Sequence, residues 1–145
     1  MATLKIITEP NEILRKRSKE VTDFSPRLCE LLDDMAETMQ NGGVGIAAVQ
    51  VGVLWRVCIV DAAGGPCELI NPVIVSAKNI KSGSEGCLSV PNQHGNVSRA
   101  QEITVTFFDR YGKPQTREFK GREAVCVAHE IDHLDGILFT DKVLQ

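Results

Sequence analysis

The stretch His129-Glu130-Ile131-Asp132-His133 constrains this chain more than any other. Two imidazoles four residues apart on a helix share one face and can grip one divalent metal ion. The glutamate between them then sits beside the metal's open position, where it can act as a proton-shuttling base. The flanks fit a buried helix from Gly121 to Asp135, stopped by Gly136 in a left-handed conformation. Its remaining positions, Ala124, Val125, Cys126, Val127, Ala128, Ile131 and Leu134, are apolar nearly all round. An unpaired buried charge costs several kcal/mol or shifts its pKa until it is neutral, so these side chains need partners. A metal supplies them; hydrogen bonds within the core are the other solution.

A catalytic metal normally takes three protein ligands. A third histidine six residues past the second would fall at Phe139, which cannot ligate, and only twelve residues follow His133. The third ligand is therefore expected upstream. Cys126 lies seven residues before His133, roughly 10 Å along the helix axis, a poor geometry for convergence. Cys29, Cys58 and Cys67 fall in stretches that read as core helix, core strand and turn edge. Cys87, in Ser84-Glu85-Gly86-Cys87-Leu88-Ser89-Val90-Pro91, has a glycine that permits close backbone approach and a proline that ends a regular ladder. A thiolate there completes a Cys-His-His set.

A further landmark is Gly43-Val44-Gly45-Ile46-Ala47-Ala48-Val49-Gln50, small residues leading to one neutral amide. A dinucleotide loop needs a strand before it and a helix after, whereas here a helix precedes and a strand follows, which argues against nucleotide binding.

Taken in order, GxGxAAxQ, EGCLS and HExxH resemble the three motifs of the peptide deformylases, matched here by Gly43 to Gln50, Glu85 to Ser89 and His129 to His133. The resemblance runs from Glu9-Pro10 to a Leu138-Phe139 strand. It implies hydrolysis of the N-formyl group from formyl-methionyl nascent polypeptides. Cys87, His129 and His133 would be the metal ligands and Glu130 the general acid and base. Gln50 and the Leu88 backbone N–H would polarise the formyl oxygen, with Val44, Gly45, Gly86 and His94 along the substrate. The metal implied is Fe(II), with zinc, nickel or cobalt able to replace it. A peptidase or amidase of other specificity, or a catalytically silent metal-binding relative, are the alternatives.

The chain departs from many relatives at Val49, where proline or threonine is common, and at Ala128, where glutamine precedes the HExxH. His94 stands where an arginine often contacts peptide, and a solvated loop histidine is the plain alternative for it. The long insertion between the first two motifs and the helical tail of some branches are absent, which reads as a compact form.

Its 145 residues fit one domain spanning 1–145, enough to bury roughly two-thirds of the unfolded surface. No apolar run reaches membrane-spanning length and no signal peptide is expected. Five cysteines without CxxC pairs point to reduced thiols in a cytoplasm. A net charge of −3 without a basic cluster argues against direct nucleic-acid binding, and any ribosome contact is not legible in this surface chemistry.

Ser25-Pro26 reads as N-cap and N1 of a helix buried through Leu28, Leu31, Leu32, Met35 and Met39 and ended by Asn41-Gly42-Gly43. Strands are expected at 55–60, 68–71, 73–76, 102–109 and 115–119, with turns at Gly64-Gly65-Pro66 and Arg110-Tyr111-Gly112. The predicted fold is α+β: a single compact domain with antiparallel β-sheets packed around a central HExxH helix, plus an N-terminal helix.

Overall fold

The computed structural model describes residues 3–40 and 43–144. Five antiparallel strands form one sheet in chain order: β1 (Gly45–Ala47), β2 (Val57–Ala62), β3 (Gly65–Cys87), β4 (Val90–Phe108) and β5 (Pro114–Lys120). Helix α1 (Pro26–Met39) lies on one face and α2 (Arg122–Leu134) on the other. The arrangement is the α+β fold expected, with one continuous sheet in place of several.

Strand β2 shows why both faces are covered. Successive side chains of a strand point to opposite sides, and Val57 and Ile59 pack with Leu28, Leu32 and Met35 of α1. Cys58 and Val60, between them, pack with Ala124, Val127 and Ile131 of α2. A strand sandwiched in this way is apolar at every position, and Val57 to Val60 are all buried. Helix α1 starts as expected: the Ser25 hydroxyl accepts from Leu28 N–H at 3.4 Å, with Pro26 in the first turn. Leu31 is only half-buried, while Thr38 joins the buried face. The expected stop at Asn41-Gly42 lies outside the described residues.

The turn at Arg110-Tyr111-Gly112 is where it was predicted, while the first falls at Ala63-Gly64, with Gly65 and Pro66 already paired in β3. Gly64 takes φ of 90° in the turn and Gly65, the first residue of β3, φ of 115°. Asp109 accepts from the Tyr111 and Lys113 N–H groups between β4 and β5, with Gly112 at φ 80°.

The strands differ from expectation in length. The segments 68–71 and 73–76 belong to one 23-residue strand, and β4 begins at Val90 rather than near 102. Beyond Ile70, β3 leaves β2 and pairs with β4 alone, while β4 meets β5 only from Glu102 onward. The arms around 77–101 therefore pair, among the strands, only with each other: residues 78–84 are exposed, whereas Glu85, Val90, Val97 and Arg99 are buried against α2 and the segment around 138–143. Lys78, Asn79, Lys81, Ser82 and Ser84 fall in the exposed run, so no apolar alternation marks it in the sequence. The expected Leu138-Phe139 strand is instead the start of a 3-10 turn over Phe139–Lys142, whose Leu138 N–H donates to the Asp141 carboxylate.

Candidate functional site

Cys87 is the last residue of β3, and Leu88-Ser89 form the tip before Val90 pairs back to it. Two contacts hold that tip in place. Glu9 N–H donates to the Ser89 carbonyl at 2.8 Å, and the Ser89 hydroxyl accepts from Gln50 Nε2 at 3.1 Å. The buried Gln50 also turns its Nε2 toward Cys87 Sγ at 3.6 Å, while its Oε1 accepts from Ala47 N–H at 2.9 Å. The amide is thus locked with its donor end toward the thiol.

Helix α2 supplies the opposite wall. Cys87 Sγ is 3.3 Å from His133 Nε2, and ligand atoms of Cys87, His129 and His133 all lie within 4.8 Å of one another. Among the described residues this is the one cluster of donors able to hold a metal ion. Cys126, excluded on helix geometry, is not part of it; its thiol faces the Val44 carbonyl at 3.5 Å.

Behind the cluster lies a charged clamp that the sequence reading did not assign. His129 Nδ1 meets Glu85 Oε1 at 3.0 Å, and Glu85 takes a bidentate grip from Arg99 at 2.9 and 3.1 Å. Arg99 also donates to Asp132 at 2.6 Å, and Lys142 pairs with Asp132 at 3.0 Å. The Phe139 ring stacks beside His129 with centroids 6.3 Å apart. Glu85 and Asp132 sit inside EGCLS and HExxH, so a charge at each was visible; their shared cation, fourteen residues from Glu85, carried no spacing signal.

The electrostatics follow from burial. Burial alone would push His129 down, but hydrogen bonds to Cys87 and Glu85 outweigh it and raise the ring to about 10, with a proton that a metal ion on the ring nitrogen facing Cys87 would displace. His133, buried and next to that ring, falls to about 3 and stays neutral, the form that ligates metals. Glu85 drops to about 2: burial opposes ionisation, and the bonds from His129 and Arg99 overcome it. Glu130 rises to about 7 because it is buried, and its Oε1 has no hydrogen-bond partner among the described residues. A site that draws a proton between His129, Cys87 and Glu85 and leaves a carboxylate oxygen unsatisfied fits a divalent cation with nitrogen and sulfur ligands.

All of this opens onto a cavity of about 700 Å³. Val44, Gly45, Gly86, Leu88 and His94 line it with Gln50, Cys87, His129 and Glu130. A Cβ on Gly45 would come 2.7 Å from Glu130 Oε2 and 2.8 Å from Cys126 Sγ, and one on Gly86 would meet the His94 ring at 2.9 Å. Bare backbone at both places keeps the cleft open. His94 lies on β4 rather than in a loop, exposed at the rim.

An HExxH helix set against a hairpin thiol and a buried amide places the chain among metal-site hydrolases. Comparison with known proteins narrows this. The sequence model for polypeptide deformylase matches residues 3–145. A peptide deformylase of Caldicellulosiruptor bescii is 51% identical over 100% of this chain and 88% of its own length. Peptide deformylase 1 of Bacillus subtilis is 45% identical over 99% and 91% respectively. The crystal structure of the Thermotoga maritima peptide deformylase superposes with a TM-score of 0.96 at 35% identity, covering 100% of both chains. The chain belongs to the polypeptide deformylase family.

Proposed function

We propose that this chain removes the N-formyl group from the terminal formyl-methionine of newly made polypeptides and releases formate. The observation that carries the reading is one cleft in which three metal-ligating side chains, a locked amide donor and an unpartnered carboxylate converge. Cys87, His129 and His133 are the proposed ligands. Fe(II) is the proposed native metal, with zinc, nickel or cobalt as substitutes. A divalent cation so held would lend Lewis acidity to the cleft floor and make water there easier to deprotonate.

The chain's own residues account for the remaining steps. Glu130, raised to about 7 by burial, takes a proton from the attacking water and returns it to the departing amine. Gln50 Nε2, already aimed at the Cys87 side, donates to the formyl oxygen as charge develops on it, and the Leu88 N–H at the hairpin tip is the proposed second donor. The methionyl peptide lies between Val44-Gly45 and Gly86, with His94 at its edge. Among the described residues no helix is long and apolar enough to cross a membrane. Nascent chains place the reaction in the cytoplasm.

Formyl selectivity tests the proposal. The acyl carbon's substituent points at the Gly43 to Ala48 wall, where hydrogen fits and a methyl collides at a cost of ~1 to 3 kcal/mol. An acetyl carbonyl is also less electrophilic. On protein purified anaerobically and analysed for metal, formate release from formyl-Met-Ala-Ser should exceed deacetylation of acetyl-Met-Ala-Ser by at least about 10²-fold in kcat/KM. Comparable rates would make the chain a broader amidase.

A further inference from the structure

Away from the reacting centre the cleft carries an uneven charge. Its acidic lining residues, Glu85 and Glu130, are both buried, and Glu85 is neutralised by Arg99 and His129. The exposed charged residues of the lining are Lys81 on β3 and Arg122 at the start of α2. Neither side chain makes a hydrogen bond or ion pair among the described residues. Two unpaired cations thus face the cleft in a chain whose net charge is −3.

Their positions along the cleft follow from element geometry. Arg122 precedes Glu130 by eight helical residues, about 12 Å along the axis, and an extended peptide advances ~3.3 Å per residue. With the formyl carbon beside Glu130, Arg122 comes level with about the third or fourth residue of the peptide. Lys81 precedes Cys87 by six strand residues, up to about 20 Å, and its long side chain can reach back toward the same stretch.

Resting on the deformylase reading, we propose that Lys81 and Arg122 give this cleft a preference for nascent chains with acidic side chains at positions three to five. The lining residues that follow Lys81 on β3, Ser82-Gly83-Ser84, are small and uncharged, so they leave those side chains room without opposing their charge. Attraction between exposed groups is modest, about 1.5- to 5-fold per pair, and is screened by salt.

The test uses formyl-Met-Ala-Ser peptides extended with Glu-Glu, Gln-Gln or Lys-Lys, scored by formate release on metal-loaded protein and, separately, by fluorescence-anisotropy binding of the same labelled peptides. In low salt kcat/KM should rank Glu above Gln above Lys, with about 5- to 20-fold between the extremes. The spread should shrink at 0.5 M salt, collapse in the Lys81→Gln/Arg122→Gln double variant and survive in Lys120→Gln, which alters an exposed cation outside the cleft. Equal handling of the three peptides, or a preference that persists in the double variant, overturns the proposal. Absence of formate release from every peptide would count against the deformylase reading alone, because binding still reports the charge preference.

Discussion

Two thiols line the cleft, and their surroundings give them different chemistry. Cys87 lies at a hairpin tip within reach of both imidazoles, whereas Cys126 is pressed against Glu130 and Gly45, where burial and then the neighbouring carboxylate push its thiol up. A thiol held neutral is a poor ligand. Cys87→Ser should therefore lose most bound metal while Cys126→Ser keeps it, as read by metal analysis after desalting; equal retention would remove Cys87 from the ligand set. Glu130 separates along another line. Glu130→Gln keeps size and hydrogen bonding but cannot accept a proton, so metal content should survive while turnover falls by roughly 10²-fold or more. Near-native activity in that variant would mean another group moves the proton.

At the scale of elements, the site depends on holding β3, β4 and α2 in register, and Arg99 ties all three through Glu85, its own strand and Asp132. Replacing it with leucine leaves two carboxylates short of their cation, one of them buried, and removal of one partner from such a network costs about 3 to 5 kcal/mol. Urea unfolding of Arg99→Leu at neutral pH should register that loss. The Glu85 contribution has a definite pH sign. Its folded pKa is depressed to about 2, so the stabilisation is present above the ordinary carboxylate value of 4.5 and fades as pH falls toward 2. The gap between wild type and Arg99→Leu should narrow over that window, and a constant gap would show that the clamp acts through packing alone. The sequence made α2 legible because the HExxH spacing sits in a run apolar nearly all round, bounded by Gly121 and Gly136. It made Cys87 legible by exclusion. The hairpin arms were hidden, since the exposed run 78–84 carries no apolar alternation, and the Arg99 clamp was hidden because its members meet only after β4 folds back on β3.

Over the whole molecule, the cleft is assembled from segments far apart in the chain: Gln50 after β1, Cys87 at the hairpin tip and the histidines of α2. The chain's ends brace it. Glu9 holds Ser89, Arg15 pairs with both Glu9 and Asp141, and Leu144 N–H donates to Asn96 at 2.8 Å on β4. Isolated bonds of this kind have no sequence pattern, and a 3-10 turn over Phe139–Lys142 stands where a Leu138-Phe139 strand was expected. Because the three proposed ligands converge only in the folded chain, metal that binds the native state and not the unfolded one must stabilise the whole fold by RT ln(1 + [M]/Kd). At a free metal concentration near 100 Kd that is about 2.7 kcal/mol, and for a chain of this size each kcal/mol raises Tm by ~2 to 4 °C. Stripping the protein with a chelator should lower Tm by about 5 to 10 °C, and nickel or cobalt should restore it. Cys87→Ser should start near the stripped value and respond weakly to added metal, while Cys126→Ser should shift as wild type does. A chelated wild-type chain that melts at the same temperature as the loaded one would mean that the cluster of Cys87, His129 and His133 holds no ion in the folded state, whatever activity the cleft displays.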